Sequence, residues 1–211
     1  MFTTLISPSD LAAHLDDAGW MICDCRHDLA DTGAGHRAYA ESHVPGARFV
    51  HLDKDLSAPK TGINGRHPLP DADRFVRRLG ELGVDGTKQV VAYDASGGYY
   101  AARLWWMLRW LGHDAVAVLD GGWNAWRNAP HSITNQIPSI EAARFTARAR
   151  TGLARDTNSV AASLGKSGQL LLDARAPNRY RGESETLDPV AGHIPGAANR
   201  FFQLNLDAEG K

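Results

Sequence analysis

The chain has 211 residues, 43% of them hydrophobic, and its 23 Lys plus Arg nearly balance 24 Asp plus Glu, leaving a net charge of −1. Such a balance supplies no field to recruit nucleic acid or an anionic membrane surface, and no apolar run reaches the ~18 residues that would suggest a membrane span. The opening MFTTLISPSDLAAHLDD lacks both a basic-then-apolar export signal and the acid-poor composition of a transit peptide, so a cytoplasmic protein without nucleic-acid or membrane partners is expected. The two cysteines, Cys23 and Cys25, stand too close for an ordinary disulfide, which agrees with a reducing compartment.

In chain order, the first predicted element is a helix: Ser7 can cap it, Pro8 fits its first turn, Asp10 complements its dipole, and Leu11 and Leu15 share a face. WMICD (20–24) follows, a short apolar run of the kind buried on both faces of a parallel sheet. Similar runs recur at ARFVHL (47–52), QVVAYD (89–94) and AVAVLD (115–120), with helical patterns between them at 71–83 and from about Tyr99 onward. Strands alternating with helices predict an α/β fold with a mainly parallel sheet flanked by helices. On the Tyr99 helix, Tyr100, Leu104, Met107, Leu108 and Leu111 form one stripe while Trp105, Trp106 and Trp110 lie elsewhere, so the helix is apolar most of the way round and needs two partners.

An internal repeat sets the expected domain plan. Asp24 and Arg26 are echoed by Asp173 and Arg175, and His43, Pro45, Gly46 and Ala47 by His193, Pro195, Gly196 and Ala197. Self-similarity at a fixed offset marks tandem copies of one unit. The reading is a first copy at 1–130, a proline-bearing linker at 131–155 and the start of a second copy at 156–211. Carried forward by the offset, the counterpart of Asp94 falls at about position 244, beyond Lys211, so the second copy is expected to be truncated before its own loop. Fewer than about 60 residues rarely bury enough apolar surface to fold unaided.

The stretch VVAYDASGGYYAARLWWML (90–108) places an aspartate between a buried strand and a helix start. Backbone N–H groups and the positive end of the helix dipole converge at such a point and stabilise an anion. A cysteine there would be a thiolate nucleophile; the carboxylate of Asp94 fits the same cradle but cannot carry a transferable sulfur atom.

The order VVAYDASGGYYAARLWWMLRWLG, VAVLDGGWNAW, linker, LLDARAPNRYRGE and GHIPGA resembles the two-domain rhodanese family, the thiosulfate and 3-mercaptopyruvate sulfurtransferases, over essentially the whole chain. The resemblance implies a rhodanese fold in both copies, with an inactive N-terminal copy carrying aspartate at the nucleophile position, here Asp94. It implies a C-terminal cysteine that forms a persulfide and passes sulfane sulfur from a small anionic donor to cyanide or a thiol. That cysteine loop is absent from these residues, so the chain as given is expected to be inactive, and no catalytic residue, cofactor or metal is assigned. Arg179 matches the family arginine that contacts the donor, and a guanidinium suits such an anion through paired hydrogen bonds. Tyr99 and Tyr100 match aromatics that line the active cleft, unless they are simply core residues. The stretch GESETLDPVA lacks the further arginine of mercaptopyruvate enzymes, which favours thiosulfate. A non-catalytic module binding a partner or sulfur carrier through the Asp94 loop is the alternative.

Other motifs read as structure. Zinc held by Cys23 and Cys25 with His27 and His36 is disfavoured by the spacing; the two thiols alternate onto one strand face and read as small core residues, with a reactive Cys25 as the functional alternative. His43 and His193 sit in matching turns, and Asp24, Arg26, Asp173 and Arg175 read as strand-end pairs fastening loops. DGGWNAW (120–126) lacks the Lys and Ser or Thr of a phosphate loop.

Overall fold

The apolar runs of the first 120 residues lie side by side as one parallel sheet. A computed structural model describes residues 1–211, and the chain divides into two units, Met1–Arg150 with Glu209–Lys211, and Thr151–Ala208. The first unit runs β1 (Leu5–Ile6), α1 (Pro8–Ala12), β2 (Trp20–Asp24), α2 (Ala34–Glu41), β3 (Arg48–Phe49), α3 (Ala72–Glu81), β4 (Gln89–Tyr93), α4 (Ala101–Trp110), β5 (Val116–Leu119) and α5 (Gly122–Asn128). The sheet order is β1-β5-β4-β2-β3 with every pair parallel.

Strand alternation splits the core in two. Met21, Cys23, Val90, Ala92 and Val116 face one layer, with Phe75 and Leu79 of α3 and Leu104, Met107 and Leu108 of α4. Ile22, Val91, Tyr93, Ala117 and Leu119 face the other, against Leu11 of α1 and Trp123 and Trp126 of α5. A strand buried on both faces reads as a continuous apolar run for this reason. Ser7 caps α1 as expected, accepting from the Asp10 amide, and Asp71 caps α3 by accepting from the Arg74 amide. The 47–52 run forms only the two residues of β3, because His51 turns away to bond Asp55.

The second face of α4 is covered from within the same unit at Trp105, whose indole N–H donates to the Thr3 carbonyl at 2.8 Å. The segment read as a linker, 131–155, is not a free tether: as far as Arg150 it belongs to the first unit. His43 and Thr134 form an isolated antiparallel bridge, Ala143 donates to Gly80, Arg148 to Leu111 and Arg150 to Trp110, and Phe145 is buried. A Cβ on Gly80 would stand 2.5 Å from the Ala143 carbonyl oxygen, and one on Gly112 2.5 Å from that of Arg148. These two glycines let the strap lie directly on the helix ends.

The second unit contains α6 (Thr157–Ser163), β6 (Leu172–Asp173), α7 (Pro177–Tyr180), β7 (Ala198–Asn199) and a 3-10 turn at Phe202–Asn205. Its sheet is the single parallel pair β6-β7. Ala197 alone is buried there, while Leu170, Leu172, Val190, Ile194 and Leu204 are exposed.

Candidate functional site

β4 occupies the middle of the sheet, and its chain leaves the carboxyl edge at Asp94. Next to it, β2 leads to β3 on one side while the chain returns to β4 on the other; crevices at such a reversal of strand order are where open α/β sheets hold ligands. The Asp94 carboxylate is 1% exposed and sits inside a ring of four amides. Its Oδ1 accepts from Ser96 N–H (2.7 Å) and Gly98 N–H (3.0 Å), and its Oδ2 from Tyr100 N–H (2.7 Å) and Ala101 N–H (2.9 Å). Gly97 and Gly98, with φ of 70° and 81°, turn the loop so that successive N–H groups point inward, and α4 begins at once with its positive dipole end toward the carboxylate. All the lone-pair directions of the carboxylate are thus engaged by backbone amides.

The DGGW segment is explained by the same loop. Trp123 N–H donates to the Asp94 carbonyl at 2.8 Å, and a Cβ on Gly122, whose φ is +55°, would lie 2.4 Å from that oxygen. Glycine is required there by close backbone approach, not by phosphate.

Beneath the loop, Asp24 and Arg26 form a buried pair. Asp24 Oδ2 accepts from Arg26 Nη2 (2.6 Å), Arg26 Nε (2.9 Å) and the Tyr93 hydroxyl (2.7 Å), and Arg26 Nη2 also donates to the Ser42 carbonyl at 2.6 Å. Burial, then the Asp24 charge, pushes the Tyr93 hydroxyl well above its ordinary pKa. His43 Nδ1 contacts the Tyr39 carbonyl oxygen at 2.7 Å with its ring stacked on Tyr39, and the Tyr39 hydroxyl donates to Ala47. This is a fastening for the turn into β3.

The second unit contains contacts of the same kind, without a counterpart of the Tyr93 hydroxyl on Asp24. Arg175 grips Asp173 and donates to the Gly192 carbonyl at 2.6 Å; His193 Nδ1 contacts the Tyr180 carbonyl at 2.7 Å with stacked rings; the Tyr180 hydroxyl donates to Ala197. Leu172↔Ala198 in β6-β7 corresponds to Cys23↔Arg48 in β2-β3.

Arg179 has no free fork. Its Nε and Nη2 pair with Glu185 (2.8–3.1 Å) and its Nη2 also with Asp188 (2.9 Å). That contact, followed by the Leu187 and Asp188 amides, lowers the Glu185 carboxyl to about 2. Tyr100 packs in the core with an edge-on contact to His27, whereas Tyr99 is half exposed. Cys23 and Cys25 are free and buried on the α3/α4 side of the sheet; desolvation raises Cys23 to about 12 and Cys25 well above its ordinary value. Burial thus disfavours the thiolate of both, and neither joins His36, whose ring lies against Phe49.

One group of side chains gave no signal in the sequence. His27 follows β2, His51 and Asp53 follow β3, and His67 precedes α3, yet all meet at the carboxyl edge of the sheet. Burial lowers the pKa of His27 and of His67, with Asp53 opposing the shift in both.

The Rhodanese-like domain family matches residues 7–129, the span that holds strands β2 to β5 and the Asp94 cradle. The chain belongs to the rhodanese-like family. Among its relatives, a "Probable 3-mercaptopyruvate sulfurtransferase" of Pseudomonas aeruginosa is 45% identical over 98% of this chain and 74% of its own length. The "Thiosulfate sulfurtransferase" of Cricetulus griseus is 32% identical over all of this chain and 73% of its own length. The crystal structure of SseA from Escherichia coli, a 3-mercaptopyruvate sulfotransferase, superposes with a TM-score of 0.85 at 28% identity, covering 100% of this chain and 79% of that one. A 3-mercaptopyruvate sulfurtransferase from Leishmania major gives a TM-score of 0.81 at 29% identity over 95% of this chain, which spans 55% of that protein. The rhodanese-like fold accounts for the parallel sheet flanked by helices. No helix is long and apolar enough to cross a membrane.

Proposed function

We propose that this chain is the non-catalytic rhodanese domain of a sulfurtransferase together with the opening portion of a second copy of the same domain. The observation that carries the reading is the Asp94 cradle: four amides and a helix start focused on one buried anion, with oxygen where sulfur chemistry needs a thiolate. In the complete reaction, a cysteine thiolate in an equivalent loop attacks the outer sulfur of thiosulfate. The S–S bond of the donor breaks, sulfite leaves with the electron pair, and a persulfide forms on cysteine. Cyanide or a thiolate then takes the outer sulfur and returns the cysteine thiolate. With 3-mercaptopyruvate the thiolate attacks the donor's sulfur, the C–S bond breaks and the carbon leaves with the electron pair as the enolate of pyruvate, which is then protonated; no cofactor enters either route.

Supporting the two-copy reading are the matched Asp24–Arg26 and Asp173–Arg175 pairs and the matched Tyr–His stacks. Arg179 is assigned to the donor anion, which displaces Asp188 or Glu185 on binding, and the exposed Tyr99 is assigned to the cleft wall with Tyr100 behind it. The rival reading, a binding module that works through Asp94, is disfavoured because the carboxylate and its amides satisfy one another. Two unpaired cysteines fit a reducing, cytoplasmic setting.

The test is thiocyanate formation from thiosulfate and cyanide by these 211 residues. Turnover no greater than that of free thiols is expected, since both cysteines are buried and protonated at neutral pH. Turnover well above that background that survives replacement of both cysteines by serine would overturn the reading.

A further inference from the structure

His27, His51, Asp53 and His67 are not used by the sulfur-transfer reading, and their arrangement is unusual for idle residues. The His27 side chain is 1% exposed, yet neither of its ring nitrogens has a hydrogen-bond partner. Its Nε2 faces Asp53 Oδ2 at 3.8 Å, too long for a hydrogen bond. Asp53 Oδ1 is likewise unpartnered, with His67 Nε2 at 3.4 Å and Lys60 Nζ at 3.7 Å in poor alignment. Buried polar groups left without partners are rare in folded proteins and point to a missing ligand. One ligand atom from each of His27, His51 and Asp53 lies within 4.8 Å of the others.

We propose that His27, His51 and Asp53 bind one divalent transition-metal ion of the Zn2+ class. Two imidazoles and a carboxylate form a donor set suited to zinc, with a fourth position left for water. At zinc–ligand distances of about 2.0–2.2 Å the donors of a tetrahedral site stand roughly 3.3–3.5 Å apart, so the three side chains close in by about an ångström through rotation alone. His27 is wedged edge-on between the rings of His51 (5.4 Å) and Tyr100 (5.3 Å), which fixes its direction. The loop bearing the other two ligands is pinned by the His51 amide donating to Asp55 at 2.7 Å.

Two local changes accompany binding. His51 Nδ1 now accepts from the Asp53 amide at 3.1 Å; ligation through Nε2 moves the ring proton to Nδ1 and gives up that bond. Lys60, 57% exposed, swings into solvent. His67 Nε2, 3.4 Å from Asp53 Oδ1, comes into alignment with that oxygen once Oδ2 ligates the metal, the usual second partner of a ligating carboxylate. The cysteines take no part, since both thiols lie in the apolar core.

The test uses the 211-residue chain stripped with a chelator, titrated with Zn2+ by calorimetry and with Co2+ by visible absorption. One ion per chain is expected, with the intense visible bands of tetrahedral cobalt. His51→Ala and Asp53→Asn should each weaken binding by ~100-fold or more and His67→Ala by roughly 10–100-fold, while Cys23→Ser with Cys25→Ser leaves it unchanged. Because all six tryptophans lie before residue 127, their fluorescence verifies that each variant of the first unit is folded. No saturable binding by the parent chain, or equal binding by folded His51→Ala and Asp53→Asn, would sink the site regardless of whether the sulfur-transfer reading stands.

Discussion

At the scale of single residues, Asp94 and the two cysteines show how surroundings decide what a buried group can do. Asp94 is buried but surrounded by four amide donors, while Cys23 and Cys25 are buried among hydrocarbon. Replacing Asp94 with Asn keeps the shape but turns an NH2 group toward two amides. The stranded donors predict a loss of about 2–4 kcal/mol, measured by urea unfolding followed by tryptophan fluorescence; a loss under ~0.5 kcal/mol would mean the carboxylate is not what holds the loop. Asp94→Cys is expected to give a thiol ionised at neutral pH, below the ordinary value of about 8.5, because the same amides and helix start favour the thiolate. Thiolate absorbance against pH should show one early titration in the variant and none below pH 9 from Cys23 or Cys25, whose pKa values are raised. Asp94 was legible in the sequence because an apolar run, a glycine pair and a helix start are adjacent in the chain. The His27, His51, Asp53 and His67 group was not, because those residues lie in two separate connections, 25–33 and 50–71, that only the sheet brings together.

At the scale of elements, the loops are held by backbone approaches that a side chain would block. Gly122 makes the point: its Cβ would press 2.4 Å from the Asp94 carbonyl oxygen at a φ of +55°. Gly122→Ala should therefore lose about 2–4 kcal/mol from strain and overpacking together. Gly62 is the control, with a φ of +86° and nothing within 4 Å of its Cβ, and its alanine variant should lose only about 1 kcal/mol. Thermal melts that rank the two equally would show that backbone conformation, and not the Asp94 contact, makes Gly122 necessary. The Ser7 cap and the long apolar strands were readable from the sequence, since each acts locally. The two-residue strand β1 and the strap through Phe145 were not. Neither has a period of its own, and each is ordered only by the backbone groups of the element it lies on.

At the scale of the whole molecule, the two units are unequal in what they bury. The first closes a core on both faces of a five-stranded sheet, whereas the second buries Ala197 alone and holds together through ion pairs and the Tyr180–His193 stack. Opening free energies should follow that difference. Amides of β6 and β7 should exchange with solvent within the shortest times sampled, and those of β4 should persist longest; comparable protection would refute this division. Acid should separate the units too. The Glu185 carboxyl is lowered from 4.5 to about 2 and that of Asp173 is also lowered, in each case chiefly by an arginine. A depressed carboxyl binds fewer protons folded than unfolded, so its contribution is complete above the unfolded value and is lost as pH falls from about 4.5 toward 2. Over that window, pepsin cleavage within 172–199 should set in before the tryptophan fluorescence of the first unit changes. The sequence by itself determined the alternating strands and helices, the recurring Asp-x-Arg and His-x-Pro-Gly-Ala motifs and the charged loop at Asp94, because each is written in neighbouring residues. Only the tertiary structure decided that Arg179 is engaged by Glu185 and Asp188, that the segment up to Arg150 is strapped down, and that three histidines face one aspartate, because those contacts depend on which distant loops the sheet edge places side by side.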